Sequence, residues 1–290
     1  MQSYHIALVT SAELPDLFGG EQLLPPALEK LGMRVSICVW DAADLDWTTF
    51  DAIVIRCPWD YHEKLPAFLA WLQQLQQLQL KVVNDVETLR WNLNKNYLFE
   101  LQRAGLPLIP SICLKPDDRR SFDELLDAMK SDEVVVKPVQ SAGAWRTLRV
   151  QKTQSRLYEN QFEQWRLEQD FLVQPFMPEI VAQGEYSLIF FDGEYSHALI
   201  KRAKAGDFRV QSDHGGSVEA IHASSELIAQ AANILQALPN MPCYARVDGI
   251  ISDGQFLLME LELLEPELFL ELAPHAASQL AQAIIRRISV

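Results

Sequence analysis

The sequence predicts an α/β N-terminal region built on a parallel sheet, followed by an α+β region built mainly from hairpins. Strand-like and helical runs alternate over residues 5–84, whereas the later strands are joined largely by tight turns. One of those hairpins, residues 244–262, gathers carboxylates on a single face.

Strands are expected at residues 5–11, 34–40, 51–57 and 81–84, with helices at 22–31 and 64–78. Such alternation implies right-handed crossovers and helices covering the sheet. Ligands of such sheets bind beyond the carboxyl ends of the strands, where Arg56, Trp59, Asp60 and Tyr61 follow the third strand. The competing reading of that loop is plain packing, with Trp59 as a plug. A second region begins near Leu89, with a helix over 92–105 ending on Gly105 and a proline-bearing connection over 106–110. Ser121 and Glu124 have the spacing of a capping box, which predicts a helix over 122–129. Strands follow at 134–139, 147–151 and 171–176, with a helix between the last two. Asp192-Gly193 is a hairpin signal between strands at 186–191 and 195–201. Helices over 224–238 and 275–287 flank the acidic hairpin.

In that hairpin, alternate side chains point to opposite faces. Ala245, Val247 and Ile251 form one apolar set, and Leu257, Met259, Leu261 and Leu263 the other. Burying both sets together requires an odd-length connection around Asp253-Gly254, such as a three-residue loop. The same register brings Arg246, Asp248, Glu260 and Glu262 onto one face. Carboxylates this close repel unless a hard cation lies among them, and Mg²⁺ takes carboxylates together with substrate phosphates. The alternative is a solvated acidic face, against which Ile250, Phe256 and Leu258 make the surface too apolar.

The chain has 290 residues, 49% hydrophobic and 22% charged, enough for two domains and a sizeable core. A formal charge of −14 argues against nucleic acid or an anionic membrane as partner. Cys38, Cys57, Cys113 and Cys243 are scattered without metal spacing and suit a reducing cytoplasm. No signal peptide and no membrane span are expected.

Lys137 lies in the apolar run Val134-Val135-Val136-Lys137-Pro138 and is expected to face an anion, the alternative being an edge-strand lysine reaching solvent. The small-residue loop 140–144, containing Ser141, can close over a phosphate. Lys201, Arg202, Lys204 and Arg209 are the dense basic cluster of an acidic chain, a local anion site or a solvated strand end. His214 reads as a loop residue. Phosphate-loop and dinucleotide fingerprints are absent, as are HExxH and GxSxG.

Taken in order, Asn94-Lys95, Val136-Lys137-Pro138, Gln174-Pro175-Phe176, Gly184-Glu185, Lys201 to Arg209 with Gly215-Gly216, Arg246-Val247-Asp248 and Glu260-Leu261-Glu262 resemble the ATP-grasp superfamily. The branch is that of prokaryotic glutathione synthetase and the cyclo-ligase of D-cycloserine biosynthesis. The resemblance spans residues 89–270, and the N-terminal sheet resembles a pre-ATP-grasp domain. It implies a substrate domain over 1–88 and an ATP-grasp domain over 89–290, with a nucleotide lid at 106–176 and a C-terminal subdomain at 177–290. It further implies ATP and two Mg²⁺ ions as cofactors, and allows a homodimer. Lys95 and Lys137 would meet nucleotide phosphates and base, Ser141 would lie in the closing loop, and Gln174, Phe176 and Met177 would form the hinge beside adenine. Glu185 would take the ribose, Lys201 and Arg209 the γ-phosphate, and Asp248, Glu260 and Glu262 the metals. The family pattern has asparagine where this chain has Glu262, and its lid loop has more than the single Gly143 found here.

The implied reaction is ATP-dependent ligation of a carboxylate to an amine or related nitrogen through an acyl phosphate. Arg246 would orient the acceptor, and Arg56, Trp59, Asp60 and Tyr61 would hold a small amino acid or peptide. A small-molecule kinase and a non-catalytic ATP-binding regulator are the competing expectations.

Overall fold

The computed structural model describes residues 3–141, 145–204, 206–210 and 215–289. The loop residues Ala142, Gly143 and Ala144, and His214, lie outside the described residues.

The alternating N-terminal pattern folds as expected into a parallel sheet. Its strands are β1 (His5–Thr10), β2 (Arg34–Val39), β3 (Ala52–Cys57) and β4 (Val82–Val83), in the order β2-β1-β3-β4. The expected first helix is divided into a 3₁₀ turn, Gly19–Leu23, and α1 (Leu24–Lys30). Pro25 and Pro26 sit in the first turn of α1, where a missing N–H costs no helical bond. Helix α2 (Leu65–Gln77) buries Phe68, Trp71, Leu72 and Leu75 against the sheet.

The helix expected over 92–105 is the shorter α4 (Tyr97–Arg103), and a helix not foreseen from sequence, α3 (Val86–Asn92), ends where it was expected to begin. Between them Asn94 Oδ1 accepts the Asn96 N–H at 2.9 Å, and the Lys95 N–H leaves the helical ladder for Val139 O at 2.8 Å. This break turns Lys95 toward the carboxylate hairpin.

An antiparallel sheet follows, β5 (Ile112–Leu114), β6 (Glu133–Pro138), β7 (Leu148–Gln151) and β8 (Phe171–Pro175), ordered β5-β8-β6-β7. Lys137 is therefore on an interior strand, not an edge. Three-residue β5 is too short to show a period and is not foreseen from sequence. Helices α5 (Phe122–Met129) and α6 (Ser155–Trp165) cover this sheet, and both bonds of the Ser121–Glu124 capping box are formed.

After the short α7 (Glu179–Ala182), the last sheet comprises β9 (Glu185–Phe191), β10 (Glu194–Arg202), β11 (Ser217–Ile221), β12 (Tyr244–Ser252) and β13 (Gln255–Glu262). Its antiparallel order is β11-β10-β9-β12-β13. Helix α8 (Ser225–Gln236) packs on one face over Leu188, Phe190, Val247 and Leu261. Helix α9 (Ala276–Ile288) shares a core with α1, β1, β9 and β10, which joins the N-terminal sheet to the last one. Asn84, 5% exposed, donates to Tyr244 O and Leu263 O and accepts from Cys243 N, fixing the end of β4 to both strands of the acidic hairpin. No helix among the described residues is long and apolar enough to cross a membrane.

Candidate active site

The hairpin of β12 and β13 reaches the expected register by a different route. Ser252 pairs with Gln255, so the connection is the two-residue turn Asp253-Gly254, with φ of 50° and 78°. The odd residue is supplied instead by a bulge, where Asp248 faces Glu260 but Gly249 faces Leu258. Met259 is the extra residue. A Cβ on Gly249 would lie 2.4 Å from Leu257 O, so only glycine fits opposite the bulge. Arg246 faces Glu262, and all four charged residues share one face as predicted. The bulge also reverses the expected faces beyond it: Phe256 and Leu258 join the α8 core, while Leu257 and Met259 lie on the carboxylate side.

That face is the floor of a cavity of about 1070 Å³. Cations and carboxylates alternate across it. Arg246 Nε donates to Asp248 Oδ2 at 2.9 Å while its Nη2 pairs with Glu262, and Ser187 Oγ donates to Asp248 Oδ1 at 2.5 Å. Lys201 Nζ lies 3.0 Å from Glu185 and 3.5 Å from Asp248, all three buried. Lys95 Nζ lies 3.0 Å from Glu260 and donates to Ser141 O at 2.8 Å, and Lys137 Nζ is 3.9 Å from the same Glu260. Burial pulls the Lys137 ammonium below its ordinary value, Glu260 only partly opposing it.

To one side is an apolar slot of Ile109, Phe176, Met177, Ile180, Val210 and Met259, closed by Gln174, whose Nε2 donates to Ser111 Oγ at 2.9 Å. The Arg149 guanidinium lies 3.6 Å over the Phe176 ring, and Phe208 meets that ring edge-on. The basic cluster divides. Arg209, paired with Asp207 at 2.8 Å, and Lys201 line the cavity, whereas Arg202 and Lys204 are exposed outside it.

On the other side, Trp59, Asp60 and Tyr61 line the cavity as expected. Asp60 is held by Trp40 Nε1 and Lys64, each at 2.8 Å. Arg56 does not line it. Its side chain is 0% exposed and bound to Glu21 at 2.8 Å, with Pro266 O and the Tyr244 ring as its other partners. Sequence reasoning missed Glu265, Glu267 and Trp145, which do line the cavity. The visible signal for the two glutamates was the density of acids just past Glu262, where alternation breaks at Leu263-Leu264 and resumes out of phase at Glu265 and Glu267.

Residues 6–84 match the family model of the N-terminal domain of D-cycloserine synthetase DcsG, and residues 112–253 that of the ATP-grasp domain of prokaryotic glutathione synthetase. The cycloserine biosynthesis protein DcsG of Streptomyces lavendulae is 30% identical over 302 aligned positions, covering 98% of either chain. The chain belongs to the ATP-grasp ligases. It is an ATP-dependent ligase forming C–N bonds. The crystal structure of D-cycloserine synthetase DcsG superposes on this ATP-grasp chain with a TM-score of 0.89 at 28% identity, over 98% of this chain and 99% of that one. D-alanine–D-alanine ligase from Bacillus anthracis, complexed with ATP, shares the fold, with a TM-score of 0.69 at 18% identity over 99% and 98% of the two chains.

ATP-grasp enzymes use ATP and Mg²⁺, and the donor chemistry of Asp248, Glu260 and Glu262 suits a hard divalent cation, being carboxylate oxygen throughout. Among the described residues no three acidic side chains already converge at ligand spacing. Arg246, Lys95 and Lys137 hold them instead, so a cation bound on this face would have to exchange against those ion pairs. One guanidinium cannot neutralise both Asp248 and Glu262. Burial, with the repulsion of Asp248, Glu260 and Glu265, outweighs Arg246 and pushes the Glu262 carboxyl up to about 8. Mg-ATP binding at pH 7 is therefore expected to release about one proton from Glu262. Calorimetry in buffers of different ionisation enthalpy measures it, and Glu262→Asn should remove the buffer dependence. A buffer-independent heat for the unaltered protein would show that Glu262 carries no such proton.

Proposed function

We propose that this ligase activates the carboxylate of a small amino acid or peptide as an acyl phosphate and joins it to an amine or related nitrogen. The observation that carries the reading is the charge-alternating floor, set between the apolar slot at Phe176 and the aromatic loop at Trp59. Adenine would lie in the slot beside Gln174, Phe176 and Met177, with Glu185 toward the ribose and Lys95, Lys137 and Ser141 toward the phosphates. Asp248, Glu260 and Glu262 would hold two Mg²⁺ ions, which would supply charge neutralisation to the polyphosphate. A substrate carboxylate oxygen attacks the γ-phosphorus and ADP leaves, with Lys201 and Arg209 offsetting the charge that spreads over the transferring oxygens. The nitrogen then attacks the acyl carbon, inorganic phosphate departs, and the nitrogen loses its proton. Arg246, released from Asp248 and Glu262 but still donating to Glu267 O, would orient the acyl phosphate, and Trp59, Asp60 and Tyr61 would hold the substrate.

In this reading residues 1–88 form the substrate domain and 89–290 the ATP-grasp domain, with 106–176 the lid and 177–290 the C-terminal subdomain. Four free cysteines, three of them buried, suit a reducing cytoplasm. The match of residues 6–84 to the DcsG N-terminal domain favours a related substrate, an amino-acid derivative that closes a ring on itself.

The test is incubation with Mg-ATP and a panel of amino acids, amino acids carrying a second nucleophilic nitrogen, and peptides, with ADP and inorganic phosphate both followed. D-cycloserine, the compound for which the relative is named, serves as a product-side probe. Stoichiometric release of ADP and phosphate with a new C–N bond is expected. Phosphate retained on the acceptor identifies a kinase, and ATP binding without any stimulated ADP release identifies a regulator.

A further inference from the structure

Beyond the end of β13 the chain has no ladder partner among the described residues, yet residues 265–268 are held at every carbonyl by a side chain. Trp59 Nε1 donates to Glu265 O at 3.1 Å, Arg56 Nη2 to Pro266 O at 2.6 Å and Arg246 Nη1 to Glu267 O at 2.9 Å. His197 Nε2 lies 2.9 Å from Leu268 O, and the Leu268 N–H donates to Glu21 Oε1 at 2.9 Å. Arg56 and Glu21 close the arrangement on each other, Nε to Oε2 at 2.8 Å, with both side chains 0% exposed. Tyr244 stacks beneath, 4.7 Å from the Arg56 guanidinium. Gly20 lets the turn that carries Glu21 come this close, since a Cβ there would overlap the Glu271 carboxylate and lie 2.9 Å from its backbone nitrogen.

Pro266 and Leu268 are buried by this clamp, and Glu265 and Glu267 face the cavity on the side of the N-terminal loops. The Glu265 carboxylate is further fixed by a hydrogen bond with the Tyr61 side chain. Burial pushes the Glu265 carboxyl up to about 6 and the Glu267 carboxyl up to about 7, Arg246 only partly opposing it, so the group that best matches the pair is a cationic N–H donor, the ammonium of the substrate. We infer that Arg56 and Glu21 are positioning residues of the ligase, which hold segment 265–268 so that Glu265 and Glu267 meet the nitrogen-bearing end of the substrate. The inference rests on the ligase reading above and gives buried Arg56 a role without substrate contact.

Arg56→Lys keeps a cation beside Glu21 but loses the second arm of the fork, and Glu21→Gln keeps an acceptor for Leu268 N–H. Arg56→Lys is expected to speed amide hydrogen exchange at Leu268 and, with the substrate found in the ADP-release panel, to raise its KM roughly 10- to 100-fold. The Mg-ATP dissociation constant should not move, and Glu21→Gln should shift KM less than Arg56→Lys does. An unchanged KM, or equal weakening of ATP and substrate, overturns the assignment. If no compound in the panel is turned over, the ligase reading fails separately. Exchange at Leu268 with Mg-ATP bound then decides the clamp, faster exchange supporting it and unaltered protection overturning it.

Discussion

Glu260→Gln is expected to reduce Mg-dependent ADP release by on the order of 10²- to 10³-fold, the scale of removing one preorganised charge from a phosphoryl- or acyl-transfer site. Burial would raise this carboxyl, but Lys95 at 3.0 Å and Lys137 at 3.9 Å more than reverse that, holding it down at about 2. It is therefore ionised at every working pH. A lowered carboxyl contributes stability above its unfolded value, so the unaltered protein gains stability from Glu260 above about pH 4.5 and loses it as pH falls to about 2. Glutamine removes that gain and leaves two lysines facing each other across an uncharged amide. Glu260 is 28% exposed, so the stability cost should stay below the roughly 3–5 kcal/mol of breaking a fully buried pair. Circular dichroism and ADP release on the same sample separate the two effects. Full turnover by a folded Glu260→Gln protein would remove Glu260 from both the metal and the phosphate sites.

Much of this site was legible because it is written in local periodicity. Alternation alone placed Asp248, Glu260 and Glu262 on one face, and an isolated lysine in the apolar run of β6 pointed to an anion, found in Glu260. The failures share one cause, dependence on distant partners. Helix α4 starts at Tyr97 and not at Asn92 because Lys95 N–H bonds to Val139, 44 positions along the chain. Arg56 looked like a binding residue from its place after β3, yet its partners are Glu21 and Pro266, which no local pattern brings together. Glu265 and Glu267 were passed over because the strand period ends at Glu262, and what aims them is a set of side chains from four other segments. The hairpin shows a subtler limit. Parity demanded one extra residue, and both a three-residue loop and a bulge satisfy parity. Asp253-Gly254 matches a two-residue turn, and the lone Gly249 inside an apolar strand marked the bulge.

Gly249→Ala is accordingly expected to cost activity out of proportion to stability. The added methyl would lie 2.4 Å from Leu257 O and 2.5 Å from the Phe256 ring, and the first of these is backbone that cannot rotate away. Overpacking of this kind costs about 1–3 kcal/mol. Two responses are open to the hairpin. It can open locally, which displaces β13 from β12, or it can discard the bulge and run in the uninterrupted register set by its two-residue turn. The second places Met259 opposite Asp248 and carries Glu260 and Glu262 to the α8 side, where Phe256, Leu258 and Leu261 now pack. Either way the carboxylate floor is lost while most of the sheet survives. Phe256→Leu is the control, since it loosens the same core without touching the register. At matched thermal destabilisation Gly249→Ala should lose ADP release and the Mg²⁺ dependence of ATP binding, and Phe256→Leu should keep both. Equal activity in the two variants would mean that the bulge merely accommodates the turn and has no part in building the site.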